Sequence, residues 1–151
     1  MSLNKSEVYP DCWELATAIR PDTAQILKLV RSTSGVSLTE IIRRAMACYD
    51  FAANTEFGGG KLWLEDENAA HQLTPDKLPG QEAIHFVALS VNVNQEQANL
   101  LRNLEAIKGL GQGAVIDLAA HLYSNLVDAS ILSGRILSVM PDSVIEISLL
   151  D

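Results

Sequence analysis

The sequence predicts an α+β fold, mostly helical, assembled from two copies of one small unit. Three observations lead there. The first is an internal repeat: shifting the chain by 74 positions lays Leu15–Gly60 over Leu89–Gly134 without a gap. Leu15 meets Leu89, Ala24 meets Ala98, Leu27 meets Leu101, Gly35 meets Gly109, Ile42 meets Ile116, Ala45 meets Ala119 and Tyr49 meets Tyr123. The second is that each copy opens on an alternation of period two, the spacing of a half-buried strand. The third is glycine at matched places, Gly35 with Gly109 and Gly60 with Gly134, where helices end and new elements begin. A repeat this short seldom buries its apolar surface alone, so the two copies are expected to complete each other.

Each element has a local reason. In Leu15–Arg20 one face of the opening strand carries Leu15, Thr17 and Ile19, and the other Ala16, Ala18 and Arg20. In the second copy Leu89, Val91 and Val93 face one way, and Ser90, Asn92 and Asn94 the other. Pro21 and Asp22 suit a helix start, since proline lacks only an N–H that is orphaned there and aspartate favours the positive helix end. Ala24, Leu27 and Val30 then recur at helical spacing, as do Ala98, Leu101 and Leu104. Ser37 and Glu40 form the pattern of a capping box that opens a second helix with an apolar stripe from Leu38 to Ala52. Its counterpart starts at Gly111, without a side-chain cap. A short strand follows each second helix: Lys61–Glu65, with a weaker return strand near His71–Thr74, and Arg135–Met140. The latter turns at Pro141-Asp142-Ser143 into Val144–Leu149. The boundaries are an N-terminal arm 1–12, a first unit 13–74, a linker 75–84 containing Pro79 and Gly80, and a second unit 85–151.

Composition narrows the function. The net charge is −8, the wrong sign for holding nucleic acid by bulk electrostatics. The cations concentrate in the first copy, and the second is distinctly acidic. No apolar run reaches the roughly 18 residues that span a bilayer, and the N-terminus has no signal-peptide pattern, so a cytoplasmic protein is expected. Cys12 and Cys48 share no metal or redox spacing with each other or with His71, His85 and His121. No nucleophile–base pair or paired carboxylate stands out, so neither enzyme nor cofactor is expected.

Strand, helix, Gly-Val-Ser turn and helix, with the run Leu38-Thr39-Glu40-Ile41-Ile42-Arg43-Arg44-Ala45, resemble the ribbon-helix-helix proteins of the Arc, MetJ and CopG type. The second copy is similar more loosely, through Leu89–Asn94, Gly109 and Val115–Tyr123. The resemblance covers about two-thirds of the chain and implies two tandem ribbon-helix-helix-like units. These form a pseudo-dimer within one chain, or a homodimer by strand exchange, each unit followed by a short β-strand or hairpin. It also implies double-stranded DNA as partner and a role as transcriptional regulator or antitoxin. Arg20, Ser90, Asn92 and Asn94 would then read bases, and Ser37, Lys28, Arg31, Arg43 and Arg44 would hold phosphates. A competing expectation is an acidic protein-interaction or adaptor module that keeps the fold without DNA binding, because Ala16 and Ala18 give one strand nothing to read with. For the basic residues, a solvated helix face with local ion pairs competes with phosphate binding.

Overall fold

The computed structural model describes residues 2–5, 12–65, 69–78, 80, 85–131 and 135–147. In chain order these form β1 (Ser2–Lys5), β2 (Cys12–Ile19), α1 (Pro21–Ser34), α2 (Leu38–Phe57), β3 (Lys61–Glu65), β4 (Ala70–Gln72), β5 (Val87–Asn94), α3 (Gln95–Lys108), α4 (Gln112–Ile131), β6 (Arg135–Val139) and β7 (Val144–Ile147). The expectations placed on Gly134, Asp66, Pro79, Ser148, Leu149, residues 6–11 and linker residues 81–84 lie outside the described residues.

The strands make two antiparallel sheets, ordered β1-β2-β5 and β4-β3-β6-β7. In the first, β2 and β5 pair along all eight residues, and Ala16 stands opposite Ser90. These two positions are equivalent under the repeat, so the ladder is symmetric about them. Leu15, Ile19, Val91 and Val93 turn to one side and meet Leu27, Ile41, Met46, Leu101, Leu104 and Ile116 in one continuous core. Burying each such side chain stabilises the fold by about 1.5–3 kcal/mol. Among the helices, α2 and α4 make the most extensive contact, so this core also joins the two repeats.

This is not the expected mostly helical pair of tandem ribbon-helix-helix-like units, each ending in its own hairpin. Two features overturn that arrangement. The segment read as an N-terminal arm contains β1, which adds a third strand to β2 with Leu3 opposite Leu15. The tails of the two repeats do not stay apart: β3 pairs with β6 at the centre of a four-stranded sheet, with β4 and β7 at its edges. A lone hairpin is marginal in water. Joined, the two tails bury Leu62, Ile136 and Ser138 beneath the helices, where the Ser138 hydroxyl lies 3.1 Å from that of Thr55 on α2.

The helix ends follow their local chemistry in part. Gly35 and Gly109 close α1 and α3 in the left-handed conformation, at φ 69° and 64°. Ser37 caps α2, its Oγ accepting the Glu40 N–H at 3.2 Å. The expected reciprocal half of the box is replaced, because the Glu40 carboxylate is taken by Arg43 and Arg44. The full box forms instead at α3, where Asn94 Oδ1 accepts the Gln97 N–H at 2.8 Å and Gln97 Oε1 accepts the Asn94 N–H at 2.9 Å. At α4 the backbone approaches β2 so closely that a Cβ on Gly113 would lie 2.1 Å from the Ala18 carbonyl oxygen.

The start of the linker is docked. Tyr49, fully buried, donates its hydroxyl hydrogen bond to Asp76 Oδ1 at 2.5 Å, and Lys108 Nζ of α3 reaches Asp76 Oδ2 at 2.9 Å. Lys108 also lies 3.5 Å from Glu56 and 5.5 Å from the centre of the Tyr49 ring. Desolvation works to raise the Asp76 pKa, but the hydrogen bonds from Tyr49 and Lys108 outweigh it and hold it below the ordinary carboxylate value. Burial pushes the Tyr49 hydroxyl well above its usual range.

Cutting the chain within residues 75–84 is expected to give two fragments that are poorly folded apart and regain structure when mixed, because both sheets and the core are shared. Circular dichroism of the separate and mixed fragments checks this, and two stable, non-associating fragments would contradict it. Tyr49→Phe should cost about 1.5–3 kcal/mol in urea unfolding at neutral pH, as one hydrogen bond to a charged group is lost. The Asp76 contact contributes fully above its unfolded pKa of about 3.9 and is lost as pH falls through its lower folded value. Asp76→Asn should therefore reduce stability at pH 7 and flatten the acid limb of the stability profile.

Candidate interaction surface

The side of the first sheet that faces away from the helices follows from strand parity. Glu14 stands opposite Asn92, Ala16 opposite Ser90 and Ala18 opposite Ala88, with Asn4 of β1 opposite Glu14. Ala88, Ser90 and Asn92 are exposed, and Ala16 and Ala18 half-buried. The Ser90 hydroxyl lies 3.5 Å from Glu14 Oε1. None of the outward positions on β2 and β5 is a cation, and one, Glu14, is an acid. The face is small-residued and almost uncharged.

Two of the four residues expected to read bases are not presented there. β2 ends at Ile19, and Arg20 becomes the residue before α1. Its guanidinium turns to Asp22, with Nε and Nη2 each 3.0 Å from a carboxylate oxygen and only 12% of the side chain exposed. Its own N–H donates to Asp117 Oδ1 of α4 at 2.9 Å, a cap supplied across the repeats to a helix that has none of its own. Burial raises the Asp117 pKa. Burial likewise lowers that of His121, whose Nε2 lies 3.4 Å from Asp22. Asn94 spends its side chain capping α3. Ser90 and Asn92 remain on the outer face.

The expected phosphate contacts divide as well. Lys28 and Arg31 are exposed on α1, and Ser37 is exposed at the start of α2. That helix start abuts the ribbon, since Thr39 Oγ1 donates to the Asn92 carbonyl at 3.1 Å. Arg43 and Arg44 both close on Glu40, with Nε to oxygen distances of 2.8 Å and 3.1 Å. The hydrogen bond from Arg43, foremost, holds the Glu40 carboxyl down at about 2. The Glu40 hydrogen bond, with smaller contributions from Glu96 and Tyr123, raises the Arg43 guanidinium pKa, and the Tyr123 hydroxyl, then Glu40, raises that of Arg44. Any phosphate arriving here competes with a carboxylate already in place.

The two tyrosines matched by the repeat are both buried but differ: Tyr49 holds the linker, and Tyr123 lies beside Arg44. Trp13 is half-buried, donating from Nε1 to Gln95 Oε1 at 2.8 Å with the Arg102 guanidinium 4.8 Å over its ring. Sequence reasoning missed β1 and the cross-repeat Asp117 cap. The apolar Leu3 between Ser2 and Asn4 was the one signal for the former, and nothing local signals the latter. Among the described residues no group of histidines, cysteines and acids has metal-binding geometry. Comparison with protein-family models, curated proteins and solved structures gives no match.

Glu40→Gln should release the two arginines. Salt-sensitive, non-specific retention on DNA is then expected to rise at low salt, with the salt slope steeper by about 1 for each guanidinium that gains a phosphate. An unchanged slope would show that Glu40 does not restrain them.

Proposed function

We propose that this chain is a protein-binding module that presents the outer face of its first sheet to a partner. The observation carrying this reading is the chemistry of that face: no outward cation on β2 or β5, one acid at Glu14, and alanines that allow close approach. The third strand supports it. A major groove about 12 Å wide admits a two-stranded ribbon. With strands about 4.8 Å apart, β1 widens the sheet beyond that. The pairing of Arg43 and Arg44 with Glu40 and the net charge of −8 weigh in the same direction. Ser90 and Asn92 would fix the orientation of a partner by hydrogen bonds, while the alanines supply contact area. The module works without catalysis or cofactor in this reading. Its setting is the cytoplasm, where Cys12 and Cys48 stay as free thiols. Among the described residues no helix is long and apolar enough to cross a membrane.

One observation favours DNA as a second reading. The Ser37-capped start of α2 sits against the same stretch of β5 that exposes Asn92, which would place a helix N-terminus for a phosphate beside a side chain able to bond adenine.

Binding to a fragmented genomic DNA pool across a salt series, with sequencing of the retained fraction, separates the two. The protein-binding reading expects retention at background level at physiological salt and no enriched motif. A short motif that survives physiological salt and is lost on Asn92→Ala, with non-specific affinity unchanged, would replace that reading with a sequence-specific regulator.

A further inference from the structure

The first sheet is symmetric about the Ala16–Ser90 pair within the β2–β5 ladder and asymmetric on either side of it. On the β2 side, β1 covers Trp13–Ala16, with Ser2 opposite Ala16, Leu3 opposite Leu15, Asn4 opposite Glu14 and Lys5 opposite Trp13. The 74-residue shift carries these four positions to Val87, Ala88, Leu89 and Ser90. There β5 pairs with β2 alone among the described residues, and its other edge is open. Antiparallel pairing alternates the direction of backbone groups. Because the Asn92 carbonyl points outward to Thr39, the amides and carbonyls of Ala88 and Ser90 point outward too.

The apolar surface shows the same difference. Leu15, beneath Leu3, has no exposure, whereas its equivalent Leu89 keeps 8%. Val87 is 39% exposed and Phe86, just before the strand, 56%. Phe86 lines a cleft of about 570 Å³ together with Glu105 and Asp117, both acids. An edge strand open over Val87–Ser90, with apolar residues at that end, is a template that proteins ordinarily block. Here, among the described residues, one edge is blocked by the chain's own strand and its twin is not.

We propose that the β5 edge takes up an extended segment of a partner protein as an added strand, in the register that β1 uses on β2. The segment has the pattern of Ser2-Leu3-Asn4-Lys5. A small polar residue pairs with Ser90, an apolar side chain lies against Leu89, a polar residue pairs with Ala88, and a basic residue stands opposite Val87, toward the acidic cleft. Backbone hydrogen bonds supply affinity and the alternating side chains specificity, as in other cases of strand addition. The start of α2, held against Asn92 by Thr39, limits how far the segment extends beyond Ser90. This inference rests on the protein-binding reading and names its mode.

The test uses the full chain, labelled with ¹⁵N, and a synthetic peptide of residues 1–8 carrying a spin label at its C-terminus. The expected result is saturable broadening and shifts strongest at Val87–Ser90, fading across the ladder toward Trp13 and Glu14. Methylating the peptide nitrogens that correspond to Ser2 and Asn4 removes the pairing donors without altering the protein, and should weaken binding by roughly tenfold. Perturbation confined to Trp13–Ala16 would overturn the proposal, because the peptide would merely be replacing β1. Undiminished binding of the methylated peptide, no binding at millimolar peptide, or a peptide-free protein already dimeric through β5 would overturn it equally. Failure of the peptide leaves the reading of the outer face standing, whereas an enriched DNA motif removes that reading whatever the peptide does.

Discussion

The antiparallel ladder between β2 and β5 is the interaction on which the rest of this molecule depends. It joins the two strands that the 74-residue repeat makes equivalent, and so ties one copy to the other along eight residue pairs. Pairing fixes which side chains face inward: a slip of one residue would expose Leu15, Ile19, Val91 and Val93 and bury Glu14 and Asn92. Once that register is set, α1 and α3 leave the two strands at opposite ends, and α2 and α4 return beneath the sheet to bury its inner face. The tails then emerge close enough for β3 and β6 to pair. Closing so long a loop costs entropy, which the fold offsets by burying a core common to both copies.

Further contacts hold the path between the copies. The Tyr49 hydroxyl and the Lys108 ammonium converge on Asp76 from helices of different repeats. A carboxylate placed between a phenol and a cation is stabilised in its charged form, so the segment leaving β4 is held by polar contacts as well as by the packing of Leu73 and Leu78. Thr55 and Ser138 do comparable work at the far sheet.

The repeats are similar in backbone and different in chemistry, and the differences lie at the ends of the ribbon. Asn94 caps its own helix, whereas Arg20, in the equivalent place, cannot and takes its cap from Asp117. Arg43, the equivalent of Asp117, is drawn instead to Glu40 and feels Glu96. Only the start of α1 is thus served by the other repeat, whereas α3 is capped from within its own. The outer face inherits little of this charge, because it is turned inward or into local pairs. Among the described residues one edge of the sheet is closed by β1 and the other is open, so two nearly equal strands present unequal surfaces.

The repeat, the alternating strands, the helix starts at Pro21 and Ser37, the glycine stops at Gly35 and Gly109, and the hairpin around Pro141–Ser143 were legible in the chain, because each depends on residues a few positions apart. The outward position of Ser90 and Asn92 followed from period-two alternation alone. What required tertiary structure depends on partners far along the chain. The three-stranded first sheet needs the edge that β2 offers to β1, and the single four-stranded second sheet needs tails brought together by the bundle. The withdrawal of Arg20 from the ribbon needs Asp22 and Asp117 at once. The capping pattern Ser37–Glu40 was visible, but whether the carboxylate bonds back to the cap or forward to Arg43 and Arg44 is a competition between neighbours that spacing does not decide. Local sequence specified the pieces and their faces, and long-range pairing decided which edges close and which charges remain available.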